Sequence, residues 1–309
     1  MKLLVVGGTK FIGRAVVERA LELGYDVAIF HRGETEPEDL ADVLHIHGDN
    51  LAIADHIDEI KAFGADAVVD TTQFEADRTQ AVVEALAGVV DRYVLVCSKD
   101  VYLAYGRLHR TEPGPHQAVP LTEESELRTL PGFGHTEEID NLYIEKVALG
   151  QDELPVTITR LPGVFGPRDY QRRIGVLIDK LEGSDGVVKL YPTMANFHWT
   201  WGYVFNIADM LIECALDRRE GNHIYNLGFE MSLSYMEIHQ LVADLLGWEG
   251  EIVATEDGLE VPTPDYTQQW NSDSSKFRRD FGYTDRIPMK EAFRLTIESA
   301  KRSGSDEHD

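Results

Sequence analysis

The stretch from Lys2 to Arg14 constrains this chain more than any other: Lys2-Leu3-Leu4-Val5-Val6 runs directly into Gly7-Gly8-Thr9-Lys10-Phe11-Ile12-Gly13. The aliphatic run reads as a short buried strand and the glycines as a tight turn. Phe11, Ile12, Ala15, Val16 and Ala20 then begin a helical period. A glycine turn between strand and helix lets the backbone approach a pyrophosphate, whose charge is met by free N–H groups and by the positive end of the helix. Gly13 lets helix and strand pack closely. After Gly24, a second strand at Tyr25-Asp26-Val27-Ala28-Ile29-Phe30 completes a βαβ unit of the length a dinucleotide fingerprint needs. A sharp turn without a ligand would use the same glycines; their position behind a buried strand and ahead of this unit favours the dinucleotide.

With 309 residues, 43% of them hydrophobic, the chain can bury a large core as one elaborate domain or two modest ones. No apolar run is long enough to cross a bilayer and no basic-then-apolar leader precedes the first strand, so a soluble, unprocessed, cytoplasmic chain is expected. The two cysteines, Cys97 and Cys214, fall in stretches that read as buried strand and helix, which argues for a reducing compartment rather than a disulfide framework. Acidic residues number 54 against 29 basic ones, a net charge of -25 that repels phosphate backbones and disfavours nucleic acid as a partner. Salt adaptation and ordinary solubility charge both account for that excess.

Downstream, strand and helix alternate. A third strand is expected at 42–47, a helix at 51–63, a fourth strand at 67–70, a helix at 79–87 and a fifth strand at 93–97, the pattern of a doubly wound parallel sheet. His45 and His47 share a face at period two. Without an evident third ligand in sequence they suit a half-exposed edge, and no metal is expected. Prolines and glycines between Tyr102 and Gly134 mark a long loop of the kind that forms lids and binding loops. A helix over 136–149 and a sixth strand over 156–160 follow. Further elements are a helix at 173–181, a strand at 187–190, a helix at 206–216 capped by Asn206, and a strand at 223–227. A capping box at Ser234-Tyr235-Met236-Glu237 opens a helix to Leu246, loop follows at 255–266, helices are expected at 276–281 and 289–300, and 303–309 reads as a disordered tail.

Taken in order, Gly7-Gly8-Thr9-Lys10-Phe11-Ile12-Gly13, Cys97-Ser98-Lys99-Asp100-Val101-Tyr102, Pro120-Leu121-Thr122-Glu123, Lys146 and Arg160-Leu161-Pro162-Gly163-Val164-Phe165-Gly166-Pro167 resemble the extended short-chain dehydrogenase/reductases, specifically the NAD-dependent epimerase/dehydratase family. The resemblance implies a Rossmann domain, placed at 1–170, and a smaller C-terminal α+β substrate-binding part at 171–309, with 203–230 returning to the Rossmann domain. It implies NADP or NAD as cofactor, a nucleotide sugar or similar hydroxylated substrate, hydride transfer in an oxidoreductase or isomerase, and a homodimer.

The family resembles a Ser-Tyr-Lys device, in which a phenol exchanges a proton with the substrate hydroxyl and a lysine four residues later lowers the phenol pKa from about 10. Ser98 and Lys146 match. Four residues before Lys146 stands Leu142, and Tyr143 stands only three before, a difference of about 100° around a helix. Tyr143 is therefore the candidate phenol only with an altered helix or substrate pose; otherwise it packs in the core.

Lys10 occupies the middle glycine position, which resembles a subgroup that includes chloroplast stem-loop RNA-binding proteins. His31 and Arg32 stand where an acid would hold the ribose of NAD, and lean the expectation towards NADP. The expected cofactor residues are Gly7, Thr9, Lys10, Phe11, Ile12, Gly13, His31, Arg32, Asp49 and Lys146; those for substrate are Arg168, Arg172, Arg173, His198 and Trp199. The competing expectation is a catalytically silent dinucleotide-binding or RNA-associated protein on the same fold.

Overall fold

A computed structural model describes residues 1–72 and 75–306, without the side chains of 303–306. The first strand, β1 (Lys2–Val6), is buried on both faces. Leu3 and Val5 point into one core and Leu4 and Val6 into another, as a central strand of a covered parallel sheet requires. Chain order then runs α1 (Phe11–Glu22), β2 (Asp26–His31), β3 (Leu44–His47), α2 (Ile57–Phe63), β4 (Ala67–Asp70), α3 (Ala76–Leu86), β5 (Arg92–Ser98), α4 (Leu103–Leu108), α5 (Asn141–Leu149) and β6 (Val156–Leu161). Beyond these lie β7 (Gly163–Phe165), α6 (Arg173–Glu182), β8 (Val187–Leu190), α7 (Pro192–Ala195), β9 (His198–Trp199), β10 (Trp201–Tyr203), α8 (Val204–Leu216) and β11 (His223–Asn226). The chain continues through β12 (Leu233–Ser234), α9 (Tyr235–Leu246), β13 (Glu251–Ala254), α10 (Ser275–Phe281) and α11 (Met289–Asp306).

The main sheet has seven strands in the order β11-β6-β5-β4-β1-β2-β3, every neighbouring pair parallel. Helices α1 and α8 cover the face carrying Leu3, Val5, Ile29 and Val69; residues of α2, α3 and α5 cover the face carrying Leu4, Val6, Phe30 and Val68. This is a Rossmann-type α/β fold. Strand order reverses between β1 and β4, so a crevice opens at their carboxyl ends, where ligands of open α/β sheets bind. A third core, around Phe165, Ile178, Trp201, Ile238 and Phe293, joins the later elements. Truncating one such buried leucine or isoleucine to alanine costs about 2–5 kcal/mol.

Several boundaries differ from expectation for local reasons. The helix expected at 51–63 is a 3-10 turn over Asn50–His56 before α2. The loop beginning at Tyr102 contains α4. Asn206 lies inside α8 rather than capping it, and its amide bonds the backbone of Ile287 in both directions, at 2.8 and 3.1 Å. Ser234 and Glu237 do form the capping box, and Gly247 ends α9 in the left-handed conformation. The last helix continues through 303–306, replacing the tail expected there, while 307–309 lie outside the described residues. Both cysteines are buried and unpaired, and no described helix is long and apolar enough to cross a membrane.

Candidate active site

The glycine turn folds as its composition demands. Gly7 sits at φ +84°, and a Cβ there would lie 2.1 Å from the Thr72 methyl. At Gly13 a Cβ would lie 2.3 Å from the Gly7 carbonyl oxygen, so only glycine lets α1 start this close to β1. Thr71 Oγ1 donates to the Val6 carbonyl at 3.0 Å, and Asn50 Nδ2 donates to Thr72 Oγ1 at 2.8 Å, tying β1, β4 and the β3 exit together under the turn.

Above it opens a cleft of about 1260 Å³, lined at one end by Gly7, Thr9, Lys10, Phe11, Ile12, Gly13, His31 and Arg32 and at the other by Ser98, Asp100, His135 and Asn141. The cradle around Gly7 and the start of α1 fit a dinucleotide pyrophosphate. Asp49 is not part of this lining. Its carboxylate caps the turn after β3 through Leu51 N and pairs with Arg78 at 2.8 Å; bonds from that amide and from Arg78 hold its pKa below the usual range. Its neighbour Asn50 faces the cleft instead.

At the outer end, Arg32 pairs with Glu34 at 3.1 Å, and both line the cleft. His31 is buried, with Nε2 2.7 Å from Nδ1 of His45; burial first, then the imidazoles of His45 and His47, push its pKa down. Among the substrate candidates, Arg168 and Arg173 reach the cleft, each beside an acid: Arg168 meets Glu18 at 2.6 Å and Arg173 meets Asp169 at 3.1 Å. Arg172 turns away to Asp179 at 3.0 Å. His198 and Trp199 do not line the cleft. They form β9 against β12, and Trp199 stacks on Trp270 at 5.7 Å and covers Gly163.

The wall formed by α5 departs most from expectation. Asp140 caps the helix by accepting from Leu142 N at 2.9 Å, so α5 starts at Asn141 rather than near Thr136. Burial works against the Asp140 carboxylate, but Arg128 and the amides of Gly132 and Leu142 hold its pKa below the usual range. With this start, Asn141 faces the cleft, and Glu145, four residues on, is buried in a bidentate pair with Arg160 at 2.9 and 2.7 Å.

Tyr143 and Lys146 are not brought to the cleft. The Tyr143 hydroxyl donates to Glu137 at 3.2 Å, and the exposed Lys146 places its ammonium 4.5 Å from the Tyr143 ring centroid. Partial desolvation and then the Glu137 carboxylate raise the Tyr143 pKa, opposite to what proton transfer near neutrality needs.

Ser98 does line the cleft, at the end of β5, and its Oγ accepts from Asp100 N at 3.2 Å. Asp100, which the motif reading quoted without a role, is buried beside it. Burial pushes its carboxyl up to about 6, against the counter-pull of Arg128 and of Asn141, whose Nδ2 donates to it at 3.0 Å. Cys97 also borders the cleft, but burial pushes its thiol up and leaves it a poor nucleophile. The signal for Asn141 was present in the sequence as Asp140, a good cap residue one position before it.

The glycine cradle, the switch-point cleft and the parallel sheet define a Rossmann-type protein of the dinucleotide-binding class. The chain belongs to the NAD dependent epimerase/dehydratase family, whose model matches residues 3–228. A curated relative, the chloroplast stem-loop binding protein of 41 kDa b from Arabidopsis thaliana, is 30% identical over 115 residues; the match covers 33% of this chain and 30% of the relative's length. Among solved structures, MoeE5 in complex with UDP-glucuronic acid and NAD is 22% identical with a TM-score of 0.74, covering 98% of this chain and 100% of that one. The dTDP-glucose 4,6-dehydratase of Bacillus anthracis in complex with NAD is 18% identical with a TM-score of 0.75, covering 99% and 98%. UDP-glucose 4-epimerase of Thermotoga maritima with UDP-glucose is 17% identical with a TM-score of 0.73, covering 98% and 99%. At these identities the likeness establishes the fold.

Proposed function

We propose that the protein binds a nicotinamide dinucleotide in this cleft and acts as an oxidoreductase or epimerase on a nucleotide sugar or similar hydroxylated compound, with Asp100 and Ser98, not Tyr143, serving the substrate oxygen. One observation carries the reading: the glycine cradle and the Ser98–Asp100 pair line a single continuous cleft. The backbone at Gly7 and Thr9 and the first turn of α1 would hold the pyrophosphate. When bound, the cofactor supplies a hydride acceptor or donor. Ser98 Oγ orients a substrate hydroxyl by hydrogen bonding. Asp100, with a carboxyl near 6, takes up or returns that hydroxyl's proton close to neutral pH, where a carboxyl of ordinary pKa would be a weak base. The Asn141 amide keeps Asp100 turned towards the cleft wall. Arg168 and Arg173 at the rim supply cations for a phosphorylated substrate, each shared with an acid that tempers its charge.

A second reading, a catalytically silent dinucleotide-binding protein, is favoured by the placement of Tyr143 and Lys146 outside the cleft. An RNA-associated role is opposed by the net charge of -25. Calorimetric titration of the cofactor-free chain with NAD and NADP in parallel tests the shared premise, and micromolar binding of either is expected. Incubating the complex with nucleotide sugars and following the reduced-nicotinamide absorbance then separates the two readings. Binding without any redox change across a panel of sugars places the silent reading first; no binding removes both.

A further inference from the structure

We infer that the chain carries a site for a divalent transition metal of the zinc class at the β2–β3 edge of the sheet, ligated by His31, His45, His47 and Glu36. This does not rest on the dinucleotide reading. The pair His45 and His47 alternates onto one face of β3, and the parallel register sets His31 directly beside His47. Strand β3 is the edge of the sheet, and the rings grade from buried His31 through half-buried His45 to exposed His47. The connection between the strands folds back over them, bringing Glu36 Oε1 to 2.5 Å from His47 Nε2. One donor atom from each of the four residues lies within 4.8 Å of all the others. Tetrahedral zinc with Zn–N near 2.0–2.1 Å places donors about 3.3 Å apart, so side-chain rotations of about an ångström close the site.

The surroundings of the rings suit ligation. His45 Nε2 donates to the Leu40 carbonyl at 2.9 Å, which leaves the His45 Nδ1 lone pair facing the cluster. A backbone carbonyl fixing the tautomer of a ligating histidine is the usual outer support of such sites. At His31 the Gly33 amide donates to Nδ1 at 3.2 Å, and Nε2–H points at His45 Nδ1. An ion would take the place of that shared proton and of the one between His47 Nε2 and Glu36 Oε1, which moves to His47 Nδ1. The His31 proton then moves from Nε2 to Nδ1, with no net change in charge, and the Gly33 amide, on a glycine at φ +74°, turns away. Three imidazoles and one carboxylate select zinc, cobalt or nickel over magnesium and calcium, which prefer all-oxygen shells.

The test is calorimetric titration of chelator-stripped, full-length protein with Zn²⁺, and separately with Mg²⁺, in molar salt that suppresses diffuse binding to the acidic surface. One Zn²⁺ per chain and no Mg²⁺ is expected. Single variants His47→Ala and Glu36→Gln are expected to weaken Zn²⁺ binding about tenfold or more, and His45→Ala/His47→Ala to abolish it. His116→Ala, an exposed histidine outside the cluster, is the control and leaves it unchanged. His47 is 53% exposed, so its loss should leave the metal-free melting temperature in place, while the rise in melting temperature on adding Zn²⁺ disappears. Tetrahedral visible absorption on Co²⁺ addition, lost in the double variant, is the second readout. Zinc uptake that matches magnesium, or that survives the double substitution, overturns the assignment.

Discussion

The two ends of one cleft are built on different principles. At the glycine turn the lining is set by backbone: Gly7 and Gly13 clear space where a Cβ would clash, and this holds whatever side chain stands at Lys10. At α5, function is made by side chains whose direction depends on helix phase. In α5 the Tyr143 hydroxyl turns out to Glu137, while Asn141 lines the cleft. A lining made of backbone tolerates side-chain substitution that would remake a lining of side chains. On its inner face α5 is tied to β6 by Glu145, whose carboxylate accepts two hydrogen bonds from the buried Arg160 guanidinium.

The contrast breaks most sharply at the α5 wall. Asp100→Asn is expected to lower turnover about 10²–10⁴-fold with little change in cofactor affinity, the usual loss on removing a general acid or base. Tyr143→Phe and Lys146→Ala, by comparison, should stay within about twofold of the parent, since surface changes away from a site are close to neutral. Steady-state kinetics on all three decides it. Collapse of turnover in Tyr143→Phe with Asp100→Asn still active would restore the phenol and mean that α5 re-registers on substrate binding. Next in size, Gly13→Ala drives a methyl into the Gly7 carbonyl and is expected to weaken dinucleotide binding about 100-fold, near 3 kcal/mol. A folded variant, judged by circular dichroism, with unchanged affinity would show that the turn is not where the pyrophosphate sits.

How much of this was legible follows the same division. The β1–turn–α1 unit could be read because strand alternation, glycine and helical period are all local signals. The opening of α9 by Ser234 and Glu237 was legible for the same reason. What could not be read depends on partners far away in sequence. His45 and His47 were visible as a pair, but His31 joins them only through the β2–β3 register and Glu36 only through the folded connection. Trp199 could be read as a stacking platform or as core, because aromatic stacking and aromatic packing have the same composition; its contacts with Gly163 and Trp270 depend on residues distant in sequence. Asp100 carried no signal of its own between Ser98 and Tyr102: its raised pKa comes from burial, and the Asn141 amide that bonds it lies 41 residues away.

That raised pKa also makes a stability prediction. Asp100 moves from the ordinary 3.8 to about 6 in the folded chain, mainly by burial, so its ionised form is disfavoured by folding. The cost is full above pH 6, shrinks as pH falls through 6, and vanishes below the unfolded value; it is on the order of 2–3 kcal/mol. Asparagine avoids the charge and can still accept from Asn141. Asp100→Asn is therefore expected to raise the urea midpoint at pH 7.5 and to lose that advantage at pH 4. An equal difference at both values would mean the ionised carboxylate is not strained, and would weaken the case for it as a base.

The smallest effect belongs at the outer end of the cradle, where backbone and side chain meet. Arg32 would favour a 2′-phosphate, but Glu34 neutralises it at 3.1 Å and adds its own negative charge to the cleft lining. Both side chains are more than half exposed, so the pair is screened by solvent and salt, and its strength is no more than about 1 kcal/mol. Glu34→Gln should then shift the NADP-to-NAD affinity ratio towards NADP by only a few-fold, and less in molar salt than in dilute buffer. A shift that ignores salt would point to repositioning of Arg32 rather than to charge. No shift would mean the adenosine ribose does not reach Arg32, and that the backbone cradle alone sets affinity at this end.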